Sequence, residues 1–236
     1  MYEFVNKKEY QPIRNEIEEI IKIVQRYMRK NYDIHFQFRL IGSGGRHLIT
    51  RVKNGNSGFD FDYNLILPTP NEYDYNAKYI KQCFMDAFKY ALQDTSYSNP
   101  KDSTSAITIK VVDKNGKRVE HSCDFAIIYY EDDDIDNGYY YLRNNKNKNY
   151  YSFEQRRLSV DYLYKLDYIK GYKDGWNWIR DEYRKLKNKN RDVNKRSFVL
   201  YLESINNVFN HINQIENNND KRQEFWYDGL TNSILK

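Results

Sequence analysis

The sequence predicts an α+β fold, in which a mixed sheet with covering helices is followed by a helical lobe. In the first part of the chain, apolar residues alternate with polar ones in several segments, as they do in half-buried strands. Further along, apolar residues recur at helical spacing instead. We therefore expect two lobes, a sheet-bearing one over residues 1–150 and a helical one over residues 151–236 that closes a cleft over it.

The composition is typical of a soluble globular protein, with 40% hydrophobic and 30% charged residues. No apolar run approaches the roughly 20 residues that span a bilayer, and the first residues lack the apolar core of a secretion signal. We therefore expect a cytoplasmic protein with no membrane partner. The two cysteines, Cys83 and Cys123, are too few for a disulfide framework or a zinc site. The net charge of +5 is too small to indicate nucleic-acid binding by itself.

The first predicted elements follow from hydrophobic periodicity. Residues 13–28 carry an apolar stripe at helical spacing, which predicts an opening helix. Residues 34–40 alternate as a strand does and lead into Gly-Ser-Gly-Gly at 42–45. We then expect a short helical stretch over residues 46–52, a strand over FDFDYNLIL, and a helix over residues 80–92.

The remaining segments predict a hairpin and then helices. SAITIKVV and RVEHSCDFAIIYY flank an Asn115-Gly116 turn, the usual signal of a β-hairpin. Residues 131–149 have no clear period and predict a loop or a small hairpin, and residues 176–186 and 198–215 predict helices. The acidic run at 131–134 is interpreted as a solvated loop, and His121 as an ordinary packed or exposed histidine.

Asp60 and Asp62 are the first candidate functional residues. Residues two apart on a strand project to the same face at roughly 6.5 to 7 Å, which suits shared chelation of two divalent ions. Asp124, in a later strand, is the third candidate ligand. Oxygen ligands favour Mg²⁺ or Mn²⁺, and three converging carboxylates are unfavourable unless cations neutralise them. The alternative is that Asp60 and Asp62 are solvated positions on an exposed strand face.

The glycine-rich turn before this strand is a candidate phosphate site. A strand followed by Gly42, Ser43 and two further glycines at a helix start presents free backbone N–H groups to an anion, and the Ser43 hydroxyl is a further donor. The alternative is a plain tight turn that uses glycine for its backbone freedom.

LIGSGG, FDFDYNLIL and SCDFAII together resemble the DNA polymerase beta-type nucleotidyltransferase superfamily. The resemblance implies that Gly42 and Ser43 hold a triphosphate and that Asp60, Asp62 and Asp124 bind two Mg²⁺ or Mn²⁺ ions as the catalytic centre. Sixteen residues separate Ser43 from Asp60, a longer interval than many members have, and Arg46 and His47 receive no role.

A second resemblance lies in the helical half, where YRKLK and RSFVLYLESI are similar to segments of oligoadenylate synthetases and cyclic GMP-AMP synthase. It implies that Lys187 contacts the triphosphate, that Ser197 donates to a phosphate and that Phe198 stacks on the base. The alternative is that Lys187 is a solvated helix charge and Phe198 a core residue.

These resemblances imply a template-independent nucleotidyltransferase that takes a nucleoside triphosphate such as ATP. It would transfer the nucleoside monophosphate to a hydroxyl of RNA, a tRNA end, a nucleotide, a protein or a small molecule. A metal-dependent glycosyltransferase would also use Asp-x-Asp, but that function leaves Asp124 and the Gly-Ser turn unexplained. A non-catalytic nucleotide or RNA-binding module has no need of three mutually repelling carboxylates. The oligomeric state stays open.

Overall fold

The computed structural model describes residues 1–70, 75–131, 138–156, 161–192 and 194–231, with side chains through residue 217. It contains two compact units, Met1–Leu158 and Ser159–Lys236. The first unit combines a mixed sheet with helices and the second is helical, so the predicted α+β class is confirmed.

The first unit begins with helices and strands in alternation and ends in a run of strands. In chain order its elements are β1 (Tyr2–Phe4), α1 (Lys7–Tyr32), β2 (Gln37–Ile41), the single turn α2 (Gly42–Gly45), β3 (Thr50–Val52), β4 (Phe59–Ile66), α3 (Ala77–Ala91), β5 (Lys101–Asp102), β6 (Ile107–Val112), β7 (Val119–Tyr130), β8 (Tyr139–Asn145) and β9 (Tyr150–Arg156).

The main sheet of the described residues has seven strands, and its central path runs β2-β4-β7-β6-β5. β4 and β7 are parallel, whereas the β2-β4 and β6-β7 pairs are antiparallel. The last residues of β7 pair with β8, which pairs with β9. A parallel pair thus lies at the centre of the sheet, and it is the pair that carries the aspartates.

Helices α1 and α3 cover one face of this sheet. The side chains of Phe61, Tyr63 and Phe125 are fully buried against them, and the Phe88 and Phe125 rings lie 4.5 Å apart. Because successive strand residues point to opposite faces, burial of these aromatic side chains turns the aspartates toward the other face. The helices therefore cover the face that does not carry the aspartates.

Two loop segments differ from the sequence prediction. The helical stretch expected over residues 46–52 is wrong, because the helical turn occupies Gly42–Gly45 and Thr50–Val52 forms a strand paired with β1. The backbone of His47 has a φ of 56°, which ends the helical turn. The small hairpin considered for residues 131–149 is present as β8 and β9, whereas residues 132–134 of the acidic run lie outside the described part of the chain.

The second unit consists of α4 (Asp161–Lys170), α5 (Gly175–Lys189) and α6 (Ser197–Thr231). The sequence analysis predicted the last two, whereas α4 was not predicted because its apolar residues are interrupted by tyrosines and charges. Within the described residues, no helix has both the length and the apolar character to cross a membrane.

Candidate active site

The register of β4 against β7 brings the three predicted aspartates to one face of the sheet. Asp62 lies directly beside Asp124 on the neighbouring strand, and Asp60 lies beside Ser122. Neighbouring strands are about 4.8 Å apart and residues two apart are about 6.5 to 7 Å apart, so all three carboxylates are within side-chain reach of a common point. Their role as metal ligands stays a prediction.

The three carboxylates repel one another. Burial and the negative charges of Asp124 and Asp60 raise the pKa of the half-buried Asp62 to about 6, and the positive charge of Arg46 opposes this rise. Desolvation also raises the pKa of Asp124, against the effect of a hydrogen bond from Thr108. Asp62 and Asp124 therefore hold protons more tightly than isolated carboxylates do, and the negative charge around them would stabilise a bound cation.

Two hydroxyl groups orient the outer carboxylates. Ser122 Oγ donates a short hydrogen bond to Asp60 Oδ1, and Thr108 Oγ1 donates to Asp124 Oδ1 at 2.5 Å. Across the described part of the chain, no three His, Cys, Asp or Glu side chains are arranged to enclose one metal ion. With these hydroxyl contacts in place, the three aspartates are neighbours, but their carboxylates do not surround a single point as the ligands of one metal ion do.

A partly buried network fixes the strand that carries Thr108. Ser103 Oγ lies 3.0 Å from Thr108 Oγ1, and Ser103 N–H donates to the Ala106 carbonyl at 3.0 Å. The preceding residue, Asp102, forms an ion pair of 3.0 Å with Lys81 of α3, whose side chain is 3% exposed. Thr108 therefore contacts Asp124 from a segment that is anchored to the core.

Gly42 occupies the position where the glycine turn meets the aspartates. Its φ is +60°, and a Cβ atom built there would lie 2.1 Å from Asp62 Oδ2. A larger residue would therefore be strained in its backbone and would also displace the central carboxylate. Ser43 follows in the same turn, whose first N–H groups have no partner within a helix because of their position at its start.

Arg46 and His47, which the sequence left without a role, lie at the end of this turn. Arg46 Nη1 donates to the Gly42 carbonyl at 2.9 Å, and its charge lowers the pKa of Asp62. His47 Nδ1 lies 3.4 Å from the hydroxyl of Tyr10. Arg46 thus stabilises both the glycine turn and the ionised form of the central aspartate.

The remaining predicted residues belong to the second unit. Lys187 lies on α5, with its ammonium 5.5 Å from the centre of the Tyr183 ring. Ser197 begins α6 and is exposed. Phe198 is 43% exposed and makes edge contact with Tyr162 at 6.1 Å, so its ring is open to solvent and not a core residue. The nucleotide-binding role of these three residues stays a prediction.

Comparison with solved structures finds nucleotide-bound proteins of similar fold. The 3'-deoxy ATP-bound form of Vibrio cholerae DncV has a TM-score of 0.54 at 13% identity, over 82% of this chain and 52% of that chain. The 3'-deoxy GTP-bound form of Escherichia coli DncV has a TM-score of 0.53 at 12% identity, with the same coverage. No family model and no curated protein matches the sequence.

The chain shares its fold with these DncV proteins. Identities of 12 to 13% establish the fold alone. The chain spans about half the length of the DncV proteins that it matches.

The sequence patterns did not reveal two residues that complete the candidate site, namely Ser122 and Thr108. Ser122 lies two residues before Asp124 on the same strand, so the period of two could have revealed that they share a face. Thr108 is opposite Asp124 only through the β6-β7 register, which no local pattern specifies.

Proposed function

We propose that this protein transfers a nucleoside monophosphate from a nucleoside triphosphate to a hydroxyl acceptor and releases pyrophosphate. The observation that supports this most strongly is the position of Asp62, which lies beside Asp124 and in contact range of the Gly42 turn. Carboxylates for cations and backbone N–H groups for phosphate are the two groups that such a reaction requires. The fold shared with a protein bound to 3'-deoxy ATP agrees with this function.

Two Mg²⁺ or Mn²⁺ ions would be held by Asp60, Asp62 and Asp124. The donor set suits them, because it consists of carboxylate oxygens and because burial, together with repulsion from Asp124 and Asp60, raises the pKa of Asp62. When bound, such ions neutralise the triphosphate and favour the alkoxide form of the acceptor hydroxyl. Rotation of the Asp60 and Asp124 carboxylates away from Ser122 and Thr108 would free further oxygens for coordination.

The residues of the first unit would then have distinct tasks. The N–H groups and the hydroxyl of the Gly42-Ser43 turn hold the phosphates, and Asp124 orients the acceptor hydroxyl toward the α-phosphorus. The acceptor hydroxyl gives up its proton to water, and its oxygen forms a bond to that phosphorus as the bond to the bridging oxygen breaks. The electron pair of the broken bond leaves with pyrophosphate. Arg46 holds Asp62 in its ionised state through its charge.

Nucleotide-binding residues are also proposed within the second unit. The exposed ring of Phe198 offers a face for base stacking, and Lys187 and Ser197 offer a cation and a hydroxyl for phosphate. ATP is the triphosphate that we expect to be used.

A nucleotide hydroxyl is the acceptor favoured by the comparison, because the Vibrio cholerae protein is a cyclic AMP-GMP synthase. RNA ends, proteins and small molecules remain to be compared by experiment. Incubation with each α-labelled triphosphate and Mg²⁺, alone and with RNA or protein, identifies the acceptor as the fraction that becomes labelled. Release of a nucleoside diphosphate instead of pyrophosphate would indicate a glycosyltransferase.

Asp124→Asn tests the chemistry in particular. Loss of a ligand that orients the acceptor should lower kcat at least about a hundredfold, or roughly 3 kcal/mol, with little change in triphosphate affinity. Asp62→Asn should damage both properties, since Asp62 lies between the other two carboxylates. Single-turnover rates and nucleotide affinity are measured on the same folded preparations. A near-normal rate for Asp124→Asn would exclude Asp124 from the catalytic set.

A further inference from the structure

A groove of about 540 Å³ lies beside the edge strand β2, and we call it the arginine groove. Its polar lining residues are Gln25 and Arg29 of α1, His35 in the following loop, Gln37 and Arg39 of β2, and Tyr130 at the end of β7. Buried apolar residues, Phe36 and Leu67, also line it. The groove therefore combines a fixed apolar wall with several hydrogen-bond donors.

The charge of the groove has one sign. Among the described residues that line it, none is acidic, and the side chains of Arg29 and Arg39 form no ion pair with any residue in the described part of the chain. His35 adds a third cation when it is protonated, although the exposed carboxylate of Asp33 lies 3.7 Å away. Two guanidinium groups that share a groove without a carboxylate repel each other and favour an anion between them.

Two other grooves have acidic as well as basic lining residues. A groove on another side of α1 includes Arg26 and Lys30, but it also contains Asp94. A groove in the second unit is lined by both Asp181 and Glu182. Among the described residues, the lack of an acidic lining side chain thus distinguishes the arginine groove from these two. The groove with Arg26 and Lys30 provides a matched comparison on the same helix.

The framework of the arginine groove is held in place. The side-chain amide of Gln25 donates to the Phe36 carbonyl at 2.8 Å, which ties α1 to the segment before β2. Arg39 is paired in register with Asn64 of β4. Burial raises the pKa of the Tyr130 phenol and the charge of Arg39 opposes that rise, so these two side chains are electrostatically coupled within the groove.

We propose that the arginine groove is a second anion site, which binds a phosphate group through Arg29 and Arg39 with Tyr130 and His35 as further donors. Guanidinium groups bind phosphate through paired N–H donors, and the aromatic and apolar wall accommodates the organic part of such a ligand. This site does not depend on the nucleotidyltransferase activity, because none of its lining residues belongs to the aspartate cluster.

Arg39 also lies on the face of the sheet that carries the aspartates. It pairs with Asn64, which is two residues after Asp62 on β4. Asn64 and Asp62 are about 7 Å apart along that strand. The phosphate could therefore belong to a free phosphorylated molecule or to a longer ligand that also reaches the aspartates. Both sources share the same chemistry at the groove.

Titration with inorganic pyrophosphate in the presence of a chelator tests the proposal. Without divalent ions the aspartate cluster repels anions, so saturable binding reports on the arginine groove. Arg29→Ala/Arg39→Ala should weaken pyrophosphate binding at least tenfold, whereas the matched variant Arg26→Ala/Lys30→Ala should bind as the wild type does. Circular dichroism and thermal unfolding check that both variants are folded, as expected for exposed side chains.

Equal binding by both double variants, or no saturable binding by the wild type, would overturn the proposal. A 5'-phosphorylated dinucleotide separates the two sources of the phosphate. If it binds more tightly than pyrophosphate and loses affinity in Arg29→Ala/Arg39→Ala, the site receives part of a longer ligand. If pyrophosphate binds at least as tightly, the site takes a free phosphorylated molecule. The chelator prevents the proposed metal-dependent transfer reaction, so this binding test does not depend on whether the proposed catalytic function is correct.

Discussion

Replacement of Asp62 by asparagine should stabilise the metal-free protein. The carboxyl group has an ordinary pKa of 3.8 and a folded-state pKa of about 6. At about 1.4 kcal/mol per pH unit, its ionisation costs the folded state about 3 kcal/mol near neutral pH. Because the side chain is only half-buried, solvent screening reduces the measurable gain to about 1 to 3 kcal/mol.

The pH dependence has a definite sign. The folded protein binds the Asp62 proton more tightly than the unfolded chain does, so this group destabilises the fold progressively as the pH rises from about 4 to about 6. Above about pH 6 to 7 the full cost is present. The advantage of Asp62→Asn should therefore be largest at pH 8 and vanish below about pH 4.

Hydrogen exchange of the β4 backbone is a suitable assay. The three tryptophans, at positions 176, 178 and 226, all lie after residue 158, so tryptophan fluorescence reports on the second unit. Wild type, Asp62→Asn and a control, Asp167→Asn on the exposed surface of α4, are compared at pH 8 in chelator. Slower exchange of residues 59–66 in Asp62→Asn alone is the expected result.

Addition of Mg²⁺ provides the second half of the test. A cation that neutralises the cluster should stabilise the wild type in proportion to its binding and leave Asp62→Asn nearly unchanged. If Asp62→Asn is less stable than the wild type at pH 8 in chelator, the carboxylate repulsion inferred from the β4-β7 register is refuted.

Three further outcomes are expected. Thr108→Val removes a hydrogen bond that lowers the pKa of Asp124, so the acid limb of the kcat profile should move to higher pH, whereas Thr108→Ser should retain the wild-type profile. Gly42→Ala places a methyl group against Asp62 at positive φ. The free energy of unfolding should fall by about 1 to 2 kcal/mol from the backbone strain alone, and triphosphate binding should be lost. Unchanged stability in urea unfolding would contradict the close contact. Phe198→Ala should weaken triphosphate affinity by about 1 to 3 kcal/mol if the base stacks on its ring, and equal affinity in calorimetry would remove Phe198 from the nucleotide site.

Sequence patterns predicted the elements whose periodicity is regular. The apolar stripe of α1 and the alternation of β4 and β7 depend on one repeating spacing each, and both appear in the structure. Asp60 and Asp62 could be placed on one face of their strand for the same reason. The hairpin between β6 and β7 was predictable because its turn requires a residue with positive φ, which glycine adopts readily. Gly116 has a φ of +67°.

Errors arose where partners distant in sequence decide the structure. Residues 50–52 form a strand because β1, at the start of the chain, pairs with them, and no local pattern specifies that partner. Of the loop and the hairpin considered for residues 131–149, the hairpin is formed, because residues 139–141 pair with the end of β7.

The sequence by itself determined the kind of chemistry available, because the three aspartates and the Gly-Ser turn can be recognised from their residue types and spacing. Only the tertiary structure decided how these groups interact. The parallel β4-β7 register puts Asp62 beside Asp124, and the β6-β7 register adds Thr108. Arg29 and Arg39 likewise share a groove only because α1 packs near the edge strand. The physical reason is that side-chain charge and hydrogen bonding act over a few ångströms, whereas strand pairing joins residues far apart in the chain.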